Sequence, residues 1–232
     1  MDNVPQHIAI ILDGNGRWAK SKGMPRNYGH KVGADNVEKI CRAAYDLGVK
    51  YLTVYAFSTE NWSRPDDEVD AIMKIFRNYL KTCFKLADEN NMRVRVIGDI
   101  RRLDEDMQEK ILSLEEHSKD HDGLNFQVAL NYGSRDEIVR AVKRLEEDRD
   151  AGRFTGEITQ EVISSYLDTA DIPDPDLLIR TSGEQRLSNF LLWQCAYTEF
   201  YFTDVHWPAF NEEELKKAIE SYGERNRRYG GI

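Results

Sequence analysis

Apolar residues follow two alternating rhythms along this chain. Short runs at Ile8–Leu12, Tyr51–Phe57, Arg93–Ile97, Phe126–Leu130, Leu177–Ile179 and Glu199–Phe202 are bounded by glycine, polar or charged residues and read as strands. Between them, apolar residues recur every three or four positions. Gly33–Leu47 places Val37, Ile40, Ala44 and Leu47 on one helical face. After Pro65, a long helix carries Val69, Ile72, Met73, Phe76, Leu80, Cys83, Phe84 and Ala87 at the same spacing. Asp104–His117, Asp136–Arg149, Gln160–Leu167 and Glu212–Arg225 repeat the pattern. Strand and helix in alternation predict an α/β fold: a mainly parallel central sheet of about six strands with helices on both faces.

Length and composition narrow this picture. The 232 residues suit one domain spanning 1–232, without repeat or linker, and 41% apolar residues suffice for a large core. A net charge of −9 argues against general nucleic-acid binding and against a basic membrane-surface patch, and it requires any anionic ligand to meet a local concentration of arginine. Cys41, Cys83 and Cys195 are odd in number and widely spaced, which predicts buried reduced thiols rather than a zinc site. No signal segment and no run of roughly 18 apolar residues is present; the richest stretch, Asn189–Phe202, is broken by Gln194, Thr198 and Glu199. A cytoplasmic protein is expected.

The chemistry gathers at the strand ends. Parallel strands bring to one rim Asp13-Gly14-Asn15-Gly16-Arg17, Ser58-Thr59-Glu60-Asn61-Trp62-Ser63-Arg64, Gly98-Asp99, Asn131-Tyr132-Gly133 and Arg180-Thr181-Ser182-Gly183. Glycine, hydroxyl and arginine recur there, where ordinary solvated loops would show generic lysine and glutamate. Asp13 offers a carboxylate to a divalent metal, glycine amides approach an anion closely, and Arg17, Arg64, Arg180 and Arg186 can bind phosphate oxygens. Arg26 and His30 lie in a loop, Lys20–Gly33, which leads into a helix and can wrap a phosphate. Arg180–Asn189 adds two arginines and two serines that suit a second diphosphate.

Several motifs are decoys or stay open. Gly14-Asn15-Gly16-Arg17-Trp18-Ala19 matches a dinucleotide fingerprint, but Gly23, Pro25 and Gly29 interrupt the long helix that motif requires. Asp66-Asp67-Glu68-Val69-Asp70 matches an acidic diphosphate motif of all-helical enzymes; here acidic residues after Pro65 read as a helix N-terminus. Glu199 sits among aromatic residues and needs either an arginine or a metal as partner. The wide apolar stripe of the long helix serves core packing or lines an apolar tunnel.

These ordered motifs resemble the cis-prenyltransferases, most closely the bacterial undecaprenyl diphosphate synthases. The resemblance runs from His7 to Gly231. It rests on Asp13–Ala19, Gly29–Gly33, Tyr55–Trp62, Asn131–Gly133, Asp176–Glu184, Arg186–Gln194, Glu199–Phe202 and Trp207-Pro208. It implies Mg2+-dependent sequential condensation of isopentenyl diphosphate onto an allylic diphosphate, with farnesyl diphosphate the expected primer and undecaprenyl diphosphate, a carrier-lipid precursor for cell-wall sugars, the expected product. By resemblance, Asp13 binds metal and assists departure of the allylic diphosphate. Gly14, Asn15, Gly16, Arg17, Trp18, Arg26 and His30 hold that diphosphate. Ser58, Thr59, Glu60, Asn61, Trp62 and Arg64 shape the region between substrates. Arg180, Arg186, Leu187 and Ser188 form the isopentenyl diphosphate site, and Glu199 is a second metal ligand. Asn61 carries the proton-acceptor role in the family, although a neutral amide is a weak base and the departing diphosphate or a positioned water suits that step better. The resemblance also implies an apolar tunnel, a homodimer in which Arg228 reaches the partner's active site, and peripheral membrane contact for product release. Two rivals remain: a short- or medium-chain synthase, and a non-catalytic subunit, which would be expected to lack Asp13, Arg17 and Arg26.

Overall fold

The structure, a computed structural model, describes residues 3–225. Six parallel strands form one sheet: β1 (His7–Ile11), β2 (Tyr51–Ser58), β3 (Arg93–Ile97), β4 (Asn125–Tyr132), β5 (Leu177–Arg180) and β6 (Glu199–Phe202), in the spatial order β3-β4-β2-β1-β5-β6. The helices are α1 (Asn15–Ser21), α2 (Arg26–Asp46), α3 (Asp66–Glu89), α4 (Glu105–Ser118), α5 (Ser134–Asp150), α6 (Gln160–Tyr166) and α7 (Glu212–Gly223). From the central β1 the chain moves outward through β2 to one edge, then returns through β5 to the other. The crevice at the carboxyl ends of β1 and β5 is therefore the topological switch point, where such sheets bind ligands. Register pairs Ile11 with Arg180, so the polar residues after β1 meet the end of β5.

Alternating strand residues build two cores. Ile8, Ile10, Leu52, Val54, Phe126, Leu177 and Ile179 pack beneath α2, α3, α4 and α7. Ala9, Ile11, Tyr55, Ala129 and Leu178 face the other way, onto Phe190, Leu191 and Cys195. Truncating fully buried Phe126 to alanine would cost about 3–5 kcal/mol. On this second face α5 attaches through a polar network. Glu137, 0% exposed, accepts from the Tyr132 hydroxyl at 2.5 Å and from Gln194 at 3.2 Å, and Gln194 donates to Thr169 at 2.8 Å. All three cysteines are free and buried. Among the described residues no helix is long and apolar enough to cross a membrane.

One expectation is corrected. The segment Lys20–Gly33 is not a loop: α1 covers Asn15–Ser21, and α2 starts at Arg26, seven residues before the expected start. Gly29 and Gly33 lie inside α2 because the two helices touch there. A Cβ on Gly29 would stand 2.0 Å from the Asn15 carbonyl oxygen, and one on Gly33 2.1 Å from Asn15 Oδ1. These glycines are close-approach positions, not helix breakers.

Candidate active site

At the end of β1, the Asp13 amide bonds back to Ile11 O at 2.9 Å and to Thr181 Oγ1 at 3.0 Å, tying the turn to β5. Gly14 then turns with φ +95°, and a Cβ there would stand 1.8 Å from Ser182 Oγ. Only glycine admits both that dihedral and that contact. The turn aims the Asp13 carboxylate at three donors: the Gly14 amide at 2.7 Å, Arg180 Nη2 at 3.0 Å and Arg17 Nη2 at 3.1 Å. Burial alone would push the Asp13 carboxyl up. The two guanidiniums outweigh it and hold the group below its ordinary value, so it is ionised at neutral pH.

Arg180, 4% exposed, is fixed by Asp13, by Ser188 Oγ at 2.7 Å and by the Arg186 carbonyl. Its Nε has no hydrogen-bond partner, nor does the buried Asn15 Oδ1, and the buried His30 Nε2 meets only the Glu68 carboxylate, at a long 3.5 Å. All three residues line one cleft of about 650 Å³. Buried polar atoms without partners are rare in native structures, and here they are grouped where a polar ligand would satisfy them.

That cleft gathers Asp13, Asn15, His30, Ser58, Glu60, Asn61, Arg64, Arg180, Arg186 and Ser188, all nominated by the sequence. It also contains Tyr55, Arg135 and Asn189, to which the sequence assigns no individual role. Its charged lining is four arginines against two carboxylates, so an acidic chain does concentrate cations locally. The backbone around it is strained: Asn131, Ser182, Ser188, Asn189 and Leu191 all have positive φ, between 45° and 76°. Such strain is characteristic of ligand-binding rims.

The remaining nominated residues support the cleft without lining it. Gly16 lies against the Arg26 side chain, and Trp18 stacks on Tyr28. Arg17 also reaches Glu184 Oε1 at 3.3 Å. Trp62 donates to Asn131 Oδ1 at 2.7 Å and carries the Arg102 guanidinium 4.5 Å over its ring. Thr59 lies beside Gly133, and Leu187 packs on the second core. Asn61 and Ser58 cap each other: Asn61 Oδ1 accepts from the Ser58 amide at 3.2 Å.

Two findings add to the sequence reading. Glu68 does lie in the first turn of α3, as the helix-start reading requires, but it is 9% exposed and three cleft groups converge on it. Arg64 Nη1 stands at 3.1 Å, Arg26 Nε at 3.3 Å and His30 Nε2 at 3.5 Å. Burial first, then Arg64, pushes the His30 pKa down, so the ring is neutral at neutral pH despite Glu68. Glu199 takes the first of the two partners left open: Arg225 Nη1 holds its Oε2 at 2.6 Å. Its register is with Leu177, three residues before Arg180 along β5, about 10 Å along the sheet from the Asp13 rim. Within one chain, Glu199 and Asp13 are not brought together.

An apolar cavity of about 70 Å³ continues from the cleft between α2, α3 and the sheet. It shares Leu12, Asn15, His30, Ala56 and Ile72 with the cleft and is lined further in by Phe76, Tyr79 and Val128. A cation-rich polar mouth opening into an apolar slot suits a ligand with an anionic head and a hydrocarbon tail.

Comparison with known proteins agrees with this geometry. The family model "Putative undecaprenyl diphosphate synthase" matches residues 11–230. The chain is 52% identical to an isoprenyl transferase of Clostridium perfringens, covering 100% of this chain and 92% of the relative. It is 53% identical to the ditrans,polycis-undecaprenyl-diphosphate synthase ((2E,6E)-farnesyl-diphosphate specific) of Micrococcus luteus, covering 99% and 92%. Among solved structures, lavandulyl diphosphate synthase from Lavandula x intermedia, in complex with dimethylallyl diphosphate, superposes with a TM-score of 0.94 at 38% identity over 99% of this chain and 100% of that one.

Proposed function

The chain belongs to the undecaprenyl diphosphate synthase family of prenyltransferases, and from that premise we propose that the cleft condenses isopentenyl diphosphate repeatedly onto an allylic diphosphate to make a long cis-polyprenyl diphosphate. The observation that carries this reading is the cleft itself: unpartnered Asn15 and Arg180 atoms, a His30 ring held only by a long contact to Glu68, and four arginines at the mouth of an apolar slot.

In each cycle the C–O bond between the allylic carbon and its diphosphate breaks, and a carbon–carbon bond to isopentenyl diphosphate forms. A proton then leaves the new chain. The allylic diphosphate is assigned to the amino end of α1 and to Arg26 and His30, where Glu68 now engages the Arg26 guanidinium and the neutral His30 ring and would yield to a stronger anion. Arg180, Arg186 and Ser188 are assigned to isopentenyl diphosphate. Fixed guanidiniums stabilise the negative charge that grows on the leaving oxygens, and do so best in a water-poor pocket. Asn61 is engaged as a cap and is a weak base, so the departing diphosphate is the better proton acceptor.

Asp13 fits a magnesium held mainly by substrate: Mg2+ usually takes one or two carboxylates and completes its shell with phosphate oxygens and water. The described residues contain no group of three ligating side chains, and that arrangement needs none. When bound, magnesium would neutralise charge on the departing diphosphate; Asp13 is the residue that would hold it.

The farnesyl primer and undecaprenyl product are the finer proposal, supported by what the Micrococcus relative is called. The 70 Å³ slot is far smaller than a pocket for even a drug-sized ligand, roughly 300–1,000 Å³, so α2 and α3 must part as the tail grows. We also assign a homodimer, supported by the outward-facing Val139 (52% exposed) and Val142 (40%) on α5. Arg228, the residue expected to reach the partner, lies outside the described residues.

The test is incorporation of labelled isopentenyl diphosphate onto farnesyl diphosphate, with and without magnesium, with products separated by length. A magnesium-dependent ladder ending near eleven isoprene units is expected. A short product would overturn the long-chain assignment, and no incorporation with any allylic primer would favour the non-catalytic subunit.

A further inference from the structure

Two walls of the cleft come from distant parts of the chain. One is the segment Arg186–Ser188 after β5, where the Arg186 carbonyl and Ser188 Oγ fix Arg180. The other is the helical turn Thr59–Ser63 after β2, which carries Asn61 and leads into Arg64. A side-chain hydrogen bond joins them across 129 residues: Asn189 Nδ2 donates to Glu60 Oε1 at 2.8 Å.

Asn189 uses both ends of its amide. Its Oδ1 accepts from the Arg135 amide, in the first turn of α5, at 3.0 Å. A backbone amide only donates and a carboxylate only accepts, so the two partners fix which end faces which. Burial pushes the Glu60 carboxyl up, but hydrogen bonds led by that from Asn189 hold it below its ordinary value, so the acceptor is ionised at neutral pH and the bond is charge-assisted. The Asn189 carbonyl accepts from the Ser134 amide at 2.8 Å, and the Tyr55 hydroxyl donates to the Ser188 carbonyl at 3.4 Å. The backbone between these anchors is left-handed at two successive residues, Ser188 at φ +50° and Asn189 at φ +62°. Such conformations persist only where the surroundings over-determine them. Asparagine tolerates that region and also offers one donor and one acceptor on a short side chain. Aspartate would lack the donor, and serine could not serve both partners at once.

We propose that Asn189 is a positioning residue for the second diphosphate: it clamps the Arg186–Ser188 segment to Glu60 and to α5, and so sets where Arg186 and Ser188 meet that ligand. Naming the ligand as isopentenyl diphosphate rests on the prenyl-transfer reading; the clamp itself does not.

The test is a swap. Asn189→Asp keeps the shape and the acceptor for the Arg135 amide, but sets a second carboxylate against Glu60. Glu60→Gln returns a donor to that pair with its direction reversed. Wild type, both single variants and the double variant are compared by steady-state rates with farnesyl diphosphate and by calorimetric binding of isopentenyl diphosphate alone, which has no allylic partner to react with. Losing a hydrogen bond to a charged group weakens binding about tenfold or more. Asn189→Asp should therefore raise the KM and Kd for isopentenyl diphosphate about tenfold, with far smaller changes in kcat and in the KM for farnesyl diphosphate. The same substitution in the Glu60→Gln background should weaken binding much less. Asn189→Gly, which keeps the left-handed backbone and deletes both side-chain bonds, should reproduce the selective loss even if Asn189→Asp folds poorly. An unchanged KM for isopentenyl diphosphate, an equal rise in both KM values, or no coupling to Glu60→Gln would overturn the proposal. A wild type that binds isopentenyl diphosphate but never incorporates it refutes the catalytic reading, and the Kd values still test the clamp; normal incorporation without these shifts refutes the clamp alone.

Discussion

Replacing Asp13 with asparagine removes one charge and almost no volume, and its consequences can be worked from the contacts. The carboxylate accepts from the Gly14 amide, Arg17 and Arg180. An amide has one acceptor oxygen, so its NH2 must face a guanidinium. Arg180, with its side chain 4% exposed, then loses its carboxylate. Stranding one member of a buried pair costs about 3–5 kcal/mol. The Asp13 side chain is 26% exposed, so water screens part of this, and about 2 kcal/mol is the better figure. For a chain of this size that lowers Tm by roughly 4–8 °C. Inorganic diphosphate resupplies the missing anion to Arg180, so it should raise the Tm of Asp13→Asn more than that of wild type. Catalysis should not recover. Losing one preorganised electrostatic group lowers kcat by about 10²–10³-fold. Thermal melts with and without diphosphate, alongside single-turnover rates, read both effects. A kcat within a few-fold of wild type would refute the role given to Asp13, and a Tm loss that diphosphate does not recover would refute the Asp13–Arg180 argument.

Other expectations follow from the same contacts. Arg186→Ala should raise the KM for isopentenyl diphosphate with little change in kcat, because Arg186 is assigned to binding; an unchanged KM would place the second diphosphate elsewhere. His7 is buried and bonded to Pro173 O and Thr53 Oγ1, and burial lowers its pKa from 6.5 to about 4. The unfolded chain therefore binds a proton that the folded chain refuses, and stability falls as pH drops from 6.5 towards 4, by about 2 kcal/mol between pH 7.5 and 5. Urea melts of wild type and His7→Gln at those two pH values check this: the variant should lack that part of the pH dependence, whatever its absolute stability. Gly29→Ala drives a Cβ into the Asn15 carbonyl and should destabilise by about 1–3 kcal/mol while weakening diphosphate binding; a variant with wild-type stability would contradict the close packing of α1 on α2.

The strands and most helices are legible in the sequence because apolar periodicity is set by burial, and burial here is two-sided. The strand-end residues are legible for a topological reason: parallel connection puts every carboxyl end on one rim, so Asp13, Ser58, Asn61 and Arg180 could be grouped without knowing strand order. What escaped depends on contacts remote in sequence. Gly29 looks like a helix breaker, and Gly33 like a helix start, until α1 lies against them. The acidic run at Asp66–Glu68 suits a helix N-terminus, which hides the separate engagement of Glu68 with Arg26, Arg64 and His30. The Glu137–Gln194–Thr169 network joins residues far apart in the chain, and no local pattern marks a carboxylate as 0% exposed. Tyr55 and Asn189 lie in matched segments without an assigned role, Arg135 lies in none, and all three enter the cleft only through the fold. For Glu199, the cost of burying a charge correctly demanded a partner, but only the register of β6 and the position of Arg225 identify it.

The most direct test of the cleft as a prenyl-transfer site is a crystal structure with farnesyl thiodiphosphate, an allylic analogue that resists departure of its diphosphate. The prediction is a diphosphate held by Arg26, His30 and the amino end of α1, with Glu68 displaced, and the farnesyl tail in the slot between α2 and α3. A diphosphate bound away from Asp13 and these groups, or a tail lying outside that slot, would contradict it.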